Sequence, residues 1–319
     1  MKSELSENTK KLPEYDLTFI QKIKRDFLKN KMLYLILLPV IIYYIIFSYL
    51  PMYGVVIAFQ DYKPRMGIPG SHWVGLEHFM EFFKGAFFGR TFRNTLLLSV
   101  YSLIFGFPIP IIFAILLNEI RTAWFKKVVQ TITYLPHFIT MVVICSLVIL
   151  FTDANGFITQ IVNLLTGHSG SLIGDNSFFR TIYVSSGIWQ GFGWGSIIYL
   201  AAISGINSEL YEAAIIDGAG KLGRIIHVTI PGIMPTVVIM LILQIGSMMD
   251  VGWEKAFLLQ SPLTYKTSDI ISTYVYRKGF EDMNFSFSTA VGLFNSIINI
   301  FLLTTANRIS KKVSSNSLW

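Results

Sequence analysis

The sequence predicts an all-α integral membrane protein with six transmembrane helices. Of its 319 residues 53% are hydrophobic and 14% are charged, whereas an ordinary soluble domain has about 25% charged residues. Six stretches without Asp, Glu, Lys or Arg each exceed the roughly 20 residues that a helix needs to cross a bilayer core. They are residues 32–60, 94–118, 128–152, 181–208, 228–249 and 283–307. Helices are expected because backbone polar groups in lipid must bond within their own segment.

The basic residues predict the orientation of these spans. An even number of spans places both termini on one side. Sixteen of the 26 Lys and Arg residues lie before span one or after spans two, four and six. The other ten are spread over three longer loops. The positive-inside rule therefore predicts cytoplasmic termini and a cytoplasmic loop 209–227. Because these flanks explain the net charge of +7, no nucleic-acid partner is expected.

The charge pattern also divides the chain into three parts. Residues 1–31 form a basic cytoplasmic segment, residues 32–307 the six-span domain, and residues 308–319 a cytoplasmic tail. The stretch 20–31 is partly amphipathic, so it either lies along the inner membrane surface or is a solvated flank. The first span is too long for a secretory signal and is expected to be retained.

Three loops on the opposite side are longer than simple turns. They are residues 61–93, 153–180 and 250–282. Long loops of this kind usually have ordered structure or a binding role. The single cysteine, Cys145, lies inside a span and is expected to be a buried thiol.

A short polar segment lies between spans four and five. Asn207 or Ser208 is suited to begin a helix there, and Gly218 and Gly220 are suited to end it in the left-handed conformation. The small apolar face of this helix would consist of Leu210, Ala213 and Ala214. By periodicity alone, the face would equally suit a partner protein or the lipid surface.

The same segment carries a motif. Glu212-Ala213-Ala214, three residues, Gly218, nine residues and Val228-Thr229-Ile230-Pro231 resemble the signature of membrane subunits of bacterial ABC importers. Val228 and Ile230 stand where that signature has isoleucine and leucine. The resemblance implies the type I importer fold and a coupling helix that docks on a separate ATPase. The coupling residues it implies are Glu212, Ala213, Ala214, Asp217, Gly218 and Pro231.

Further phrases narrow the resemblance. Tyr134-Leu135-Pro136-His137-Phe138, the run 193–200 (GWGSIIYL) and the run 271–277 (ISTYVYR) are similar to the polysaccharide and complex-oligosaccharide group of carbohydrate-uptake permeases. This implies a multi-pass protein of the bacterial inner membrane. Its implied partners are a second permease, two cytoplasmic ATPases, an extracytoplasmic sugar-binding protein, the oligosaccharide and membrane lipid. No cofactor is expected in this chain, since ATP and Mg would bind to the ATPases.

Polar residues inside the spans are candidates for the substrate pathway. Gln190, Trp194, Gln244 and Asn295 are expected near the membrane midplane or in the outer half of the membrane. Amides match sugar hydroxyls and an indole covers a pyranose face, but hydrogen bonds between helices would use the same residues. Gly187, Gly191 and Gly195 are expected to form a stripe against which another helix packs.

Other functions fit the sequence less well. An ABC importer for a peptide or polyamine is disfavoured because the predicted lining is neutral and aromatic. A self-sufficient secondary transporter would need intramembrane charges for ion coupling or an inverted repeat. A membrane enzyme would need a catalytic or metal-binding constellation, and the sequence has no phosphate-loop or metal-protease motif. No catalytic or metal-ligating residue is therefore assigned.

Overall fold

The computed structural model describes residues 25–313 and 317–318, so most of the predicted segment 1–31 lies outside the described residues. The chain divides into two compact units, residues 1–55 and 56–319. In the first unit residues 25–29 are helical, and α1 (Lys31–Tyr44), a π turn (Ile45–Tyr49) and α2 (Leu50–Met52) follow. The 3-10 helix Tyr53–Phe59 completes the first predicted span.

The second unit contains one small hairpin and many helices. In the hairpin β1 (Gln60–Asp61) pairs antiparallel with β2 (His72–Trp73). The α-helices are α3 (Gly67–Gly70), α4 (Glu77–Lys84), α5 (Phe88–Tyr101), α6 (Pro108–Glu119), α7 (Ala123–Tyr134), α8 (Met141–Thr152), α9 (Phe157–Thr166), α10 (Asn176–Ser204), α11 (Ser208–Ile216), α12 (Lys221–Arg224), α13 (Ile230–Gly246), α14 (Trp253–Leu259), α15 (Tyr265–Ser268), α16 (Ile271–Tyr276) and α17 (Phe285–Val313). Shorter turns connect some of them: π turns Ser102–Gly106, Ile225–Thr229 and Arg277–Glu281, and a 3-10 turn Leu135–Phe138.

The predicted spans correspond to long helices, with one exception. Five stretches of the described residues are long and apolar enough to cross a membrane: Lys31–Phe59, Phe88–Glu119, Met141–Thr166, Lys221–Gly246 and Phe285–Lys312. The fourth predicted span is the 29-residue helix α10, which is less apolar because glycine, serine and glutamine interrupt it. The all-α, multi-span fold class is confirmed.

The third predicted span is wrong as a single helix. Helix α7 ends at Tyr134, the 3-10 turn Leu135–Phe138 follows, and α8 begins only at Met141. Pro136 explains the break, because proline has no N–H and restricts the residue before it. The apolar stretch instead runs through α8 and α9, and its Cys145 is buried as predicted.

The helices of the second unit pack at close range. Helix α10 packs along α6, and α13 along α17. At Gly193 the backbone of α10 approaches α7 so closely that an added Cβ would lie 2.2 Å from the Thr133 carbonyl oxygen. Two buried apolar clusters join the spans to loop 250–282, and a third surrounds Ile203 and Ile233 near α11.

Candidate functional site

Helix α11 begins as its sequence predicts. Asn207 precedes it in an extended conformation, and the Asn207 side chain accepts a hydrogen bond from the Glu209 backbone N–H at 3.1 Å. This bond satisfies one of the N–H groups that have no partner within the helix. Glu209 also places a negative charge at the positive end of the helix dipole. Of the two predicted caps, Asn207 is the one used.

The helix ends in a Schellman motif. Gly218 has φ +78°, the Gly218 N–H donates to the Ile215 carbonyl at 3.0 Å, and the Ala219 N–H donates to the Ala214 carbonyl at 2.8 Å. The left-handed conformation favours glycine at this position. The same prediction for Gly220 is wrong, because Gly220 has φ −68° and precedes α12 as its N-cap.

The predicted coupling residues lie together on an accessible surface. Glu212, Ala213, Asp217 and Gly218 are exposed, and Ala214 is half-buried. Apolar side chains surround them: Leu210, Ile215, Ile216 and Leu222 are all more than half exposed. An exposed apolar patch of this kind marks a surface for a partner or for lipid.

A side-chain contact that the sequence did not indicate ties α11 to the next span. The Tyr211 hydroxyl lies 3.0 Å from the hydroxyl of Thr229, which is buried. Thr229 ends the π turn that leads into α13, and Pro231 is the second residue of α13. A hydrogen bond therefore links α11 to the start of α13 in addition to the chain connection.

Two predicted pathway residues share a cavity of about 400 Å³ between α10, α13 and α14. Gln190 and Gln244 line it, together with Gly187, Gly191 and Gly195. The prediction that another helix packs against all three glycines is wrong for two of them. Gly195 does contact Pro110 of α6, but a Cβ at Gly191 would meet open space and one at Gly187 would meet Lys255 Nζ. The missing side chains thus leave room for the cavity.

The other two predicted pathway residues lie elsewhere. Trp194 stacks on His137 with ring centroids 4.6 Å apart and is 43% exposed. Asn295 donates to Asp250 Oδ1 at 3.0 Å and lines a separate pocket of about 370 Å³. The structure therefore brings Gln190 and Gln244 together and leaves Trp194 and Asn295 apart from them.

The cavity also contains a cation, so the expectation of a neutral lining is wrong. Lys255 of α14 is buried, and its Nζ donates to the Tyr183 carbonyl oxygen at 2.7 Å and lies 4.7 Å from the Tyr183 ring centroid. Burial lowers the pKa of Lys255 to about 8. Among the described residues no ion pair joins Lys255 to a carboxylate. The sequence signal was a single lysine within the apolar run WEKAFLL.

Loop 250–282 is held in place by a buried carboxylate. Asp269 is fully buried, and its oxygens accept from Arg90 at 2.7 Å and from Arg277 at 2.5 Å. The Asn94 amide donates to the Asp269 carbonyl oxygen and accepts from Arg180. This cluster connects α5, α10 and α16, so the loop around α14 is part of the folded core.

Comparison with known proteins decides the family. Residues 86–315 match the family described as binding-protein-dependent transport system inner membrane component. The chain belongs to this family. The family consists of transport components, so the chain is a permease subunit of the inner membrane with several spans, not an enzyme.

Individual relatives match over almost the whole chain. Protein LplB of Bacillus subtilis is 43% identical over 304 residues, which cover 95% of this chain and 94% of LplB. The polygalacturonan/rhamnogalacturonan transport system permease protein YteP of the same organism is 42% identical and covers 96% of this chain and 98% of its own length.

Solved structures match as closely. A bacterial ABC transporter involved in the import of the acidic polysaccharide alginate has a chain 39% identical to this one, with a TM-score of 0.83 over 92% of this chain and 99% of its own. A second structure shows a bacterial alginate ABC transporter in complex with an alginate pentasaccharide-bound periplasmic protein. Its matching chain is 38% identical to this one, with a TM-score of 0.84. The coverage of both chains shows a shared fold over most of this chain.

Proposed function

We propose that this permease forms half of the translocation pathway of an ATP-driven importer for oligosaccharides, and that acidic oligosaccharides are its substrates. A second permease would supply the other half of the pathway. An extracytoplasmic binding protein would deliver the sugar, and two cytoplasmic ATPases would bind ATP and Mg. The observation that carries the proposal is the cavity lined by Gln190, Gln244 and Lys255, in a chain whose relatives include transport proteins for polygalacturonan and alginate.

The cavity chemistry supports an acidic sugar. Gln190 and Gln244 offer amide donors and acceptors for hydroxyl groups, and Lys255 offers an ammonium group without a carboxylate partner among the described residues. A charge-assisted hydrogen bond to a uronate carboxylate would compensate the cost of burying that charge. A peptide or polyamine substrate would carry ammonium groups, which Lys255 would repel.

The surface around α11 supports docking on the ATPase. The helix has fixed ends at Asn207 and Gly218, and Ala213 leaves room for close approach. Closure of the ATPases on ATP would displace α11, and the bond between Tyr211 and Thr229 would pass the displacement to α13. Since α13 carries Gln244, this movement would reshape the cavity.

Replacement of Ala213 tests the docking role. Ala213→Trp should leave membrane insertion and the attachment of the ATPase intact but abolish sugar-stimulated ATP hydrolysis, because the indole would keep α11 from seating closely in the ATPase surface. Ala213→Ser, which adds one atom at the same site, should retain most of the activity. The assay is ATP hydrolysis by the purified complex with the sugar-loaded binding protein. Full stimulated activity in an intact Ala213→Trp complex would refute the docking role.

A further inference from the structure

A second pocket lies at loop 250–282 and shares no lining residue with the cavity of Gln190 and Gln244. It has a volume of about 370 Å³, within the range of about 300–1,000 Å³ that is usual for small-molecule sites. We name it the aromatic pocket. Its lining residues are Trp253, Ile271, Ser272, Val275, Tyr276, Phe280, Gly292 and Asn295.

Three rings form a continuous row along this pocket. Trp253 stacks on Tyr276 with centroids 5.5 Å apart and an interplanar angle of 22°, and Tyr276 stacks on Phe280 at 5.2 Å and 28°. Phe257 supports Tyr276 from the side at 4.9 Å. The row is accessible, since Trp253 is 47% and Phe280 69% exposed. Because the rings stack on one another, the faces left free are the outer faces of Trp253 and Phe280, which suit the C–H face of a pyranose.

Two polar atoms of the pocket have no partner. Asn295 Oδ1 and Ser272 Oγ are inaccessible to solvent and make no hydrogen bond within the described part of the chain. The orientation of the Asn295 amide is fixed, because its nitrogen donates to the Asp250 carboxylate at 3.0 Å and to the Met249 carbonyl at 3.4 Å. The Asn295 oxygen is therefore an acceptor without a donor.

Such atoms discriminate between occupants of the pocket. An unpartnered buried acceptor costs about 1–3 kcal/mol, and native proteins keep few of them. A lipid chain or an apolar side chain would leave Asn295 Oδ1 unpaired. A sugar hydroxyl would donate to it once the lining side chains move enough to expose that oxygen to the ring on the aromatic row.

The backbone around the pocket favours a binding site. Phe280 belongs to the π turn Arg277–Glu281, and such turns are frequent at functional sites. Gly279 in this turn lies against α17, where an added Cβ would come within 2.8 Å of Ser288 Oγ. Across the pocket, an added Cβ at Gly292 would meet no atom within 4 Å. The π turn thus packs tightly against α17 at Gly279, while the pocket wall at Gly292 stays open.

We infer that the aromatic pocket is a second sugar subsite of this permease, which binds one pyranose ring of an oligosaccharide whose other rings occupy the cavity of Gln190 and Gln244. The inference rests on the proposed sugar transport. Asp250 connects the two places: it accepts from Asn295 and lines a smaller cavity of about 120 Å³ that Gln244 also lines. An oligosaccharide of several rings would gain binding free energy from both sites at once, whereas a single sugar ring would occupy only one of them.

Variants that fill or flatten the pocket test the subsite. Gly292→Leu would fill it, and Gly89→Leu is its matched control because an added Cβ at Gly89 also meets no atom within 4 Å. Phe280→Leu would shorten the ring row, and Phe301→Leu is its control because Phe301 is 65% exposed outside the pocket. The assay is uptake of galacturonate tetrasaccharide and of galacturonate monomer by the whole complex in vesicles.

The expected result is a loss that depends on chain length. Gly292→Leu and Phe280→Leu should raise the tetrasaccharide concentration for half-maximal uptake about tenfold and leave the monomer unchanged, while both controls resemble the wild type. A tetrasaccharide with a photoreactive diazirine should label residues 253–281 in the wild type and not in Gly292→Leu. If the wild type transports the tetrasaccharide but all four variants behave alike, or if the label misses residues 253–281, the subsite is refuted. If the wild type transports neither sugar, the proposed function itself fails.

Discussion

The loop around α11 and loop 250–282 differ in almost every physical respect. Helix α11 is held by local bonds at its two ends and by one hydrogen bond to Thr229, and most of its side chains are exposed. In loop 250–282, by contrast, Lys255 and Asp269 are buried and bonded to distant parts of the chain. The first loop has local structure that can be read as a motif, whereas the second is defined by tertiary contacts.

This contrast fits two different tasks. A surface that docks on a moving partner needs a preformed shape and accessible small residues, and local caps provide both without a large core. A wall that contacts substrate needs side chains held at fixed positions, which requires packing from several helices. The following predictions test the contrast, beginning with the largest effect.

Removal of the Asp269 carboxylate should have the largest effect on stability. Asp269→Ala would leave Arg90 and Arg277 without their partner, and breaking a buried ion pair costs about 3–5 kcal/mol. We expect a loss of about 3 kcal/mol in the free energy of unfolding, at the lower end of that range, since the two arginine side chains are 33% and 20% exposed. Thermal unfolding in one detergent measures the effect.

The control for Asp269 is Asp282→Ala. Asp282 also pairs with a cation, Lys278, at 2.7 Å, but both side chains of that pair are more than a third exposed. Such a pair contributes about 0–1 kcal/mol. Equal melting temperatures for the two variants would contradict the view that Asp269 anchors the loop.

Lys255 should make transport of an acidic sugar dependent on pH. Its pKa of about 8 lies below the ordinary 10.5, so the folded protein loses the ammonium charge as pH rises through about 8. Because the unfolded chain still binds that proton up to about pH 10.5, the contribution of Lys255 to stability increases between pH 8 and 10.5. A loss of sugar binding over this range cannot then be attributed to destabilisation by Lys255.

The size of the transport effect follows from the lost bond. A hydrogen bond to a charged group contributes about 1.5–3 kcal/mol, so the concentration for half-maximal uptake of galacturonate trisaccharide should rise roughly tenfold from pH 7 to pH 9. Lys255→Met should show the higher half-maximal concentration at both pH 7 and pH 9. A neutral trisaccharide serves as the control. A wild-type profile that is flat for the acidic sugar would exclude Lys255 from recognition.

In the α11 loop a single glycine should have a smaller, local effect. Gly218→Ala places a side chain at φ +78°, which costs about 1–2 kcal/mol for an L-residue. Gly220→Ala is the matched control, since an added Cβ at either glycine meets no atom within 4 Å and Gly220 has φ −68°. Hydrogen exchange of the α11 amides measures the difference. Similar exchange rates in both variants would mean that the left-handed stop does not stabilise the helix.

The sequence by itself determined the features that depend on neighbouring residues. Charge-free length located five of the six predicted spans, because a bilayer requires about 20 apolar residues whatever the neighbouring helices do. The caps at Asn207 and Gly218 could also be predicted from the sequence, because each of them satisfies backbone groups within a few residues. The break at Pro136 was also local, but the apolar composition of residues 128–152 masked it.

Only the tertiary structure decided what the polar residues of the spans do. Gln190 and Gln244 belong to two helices that are separated by residues 205–229, and the periodicity of either helix does not show whether the two side chains face each other. Lys255 enters the cavity because α14 packs beneath α10, and Asn295 turns to Asp250 because the chain after α13 folds back on α17. Which side chains share a cavity is a property of packing between distant segments, and hydropathy along the chain carries no information about it.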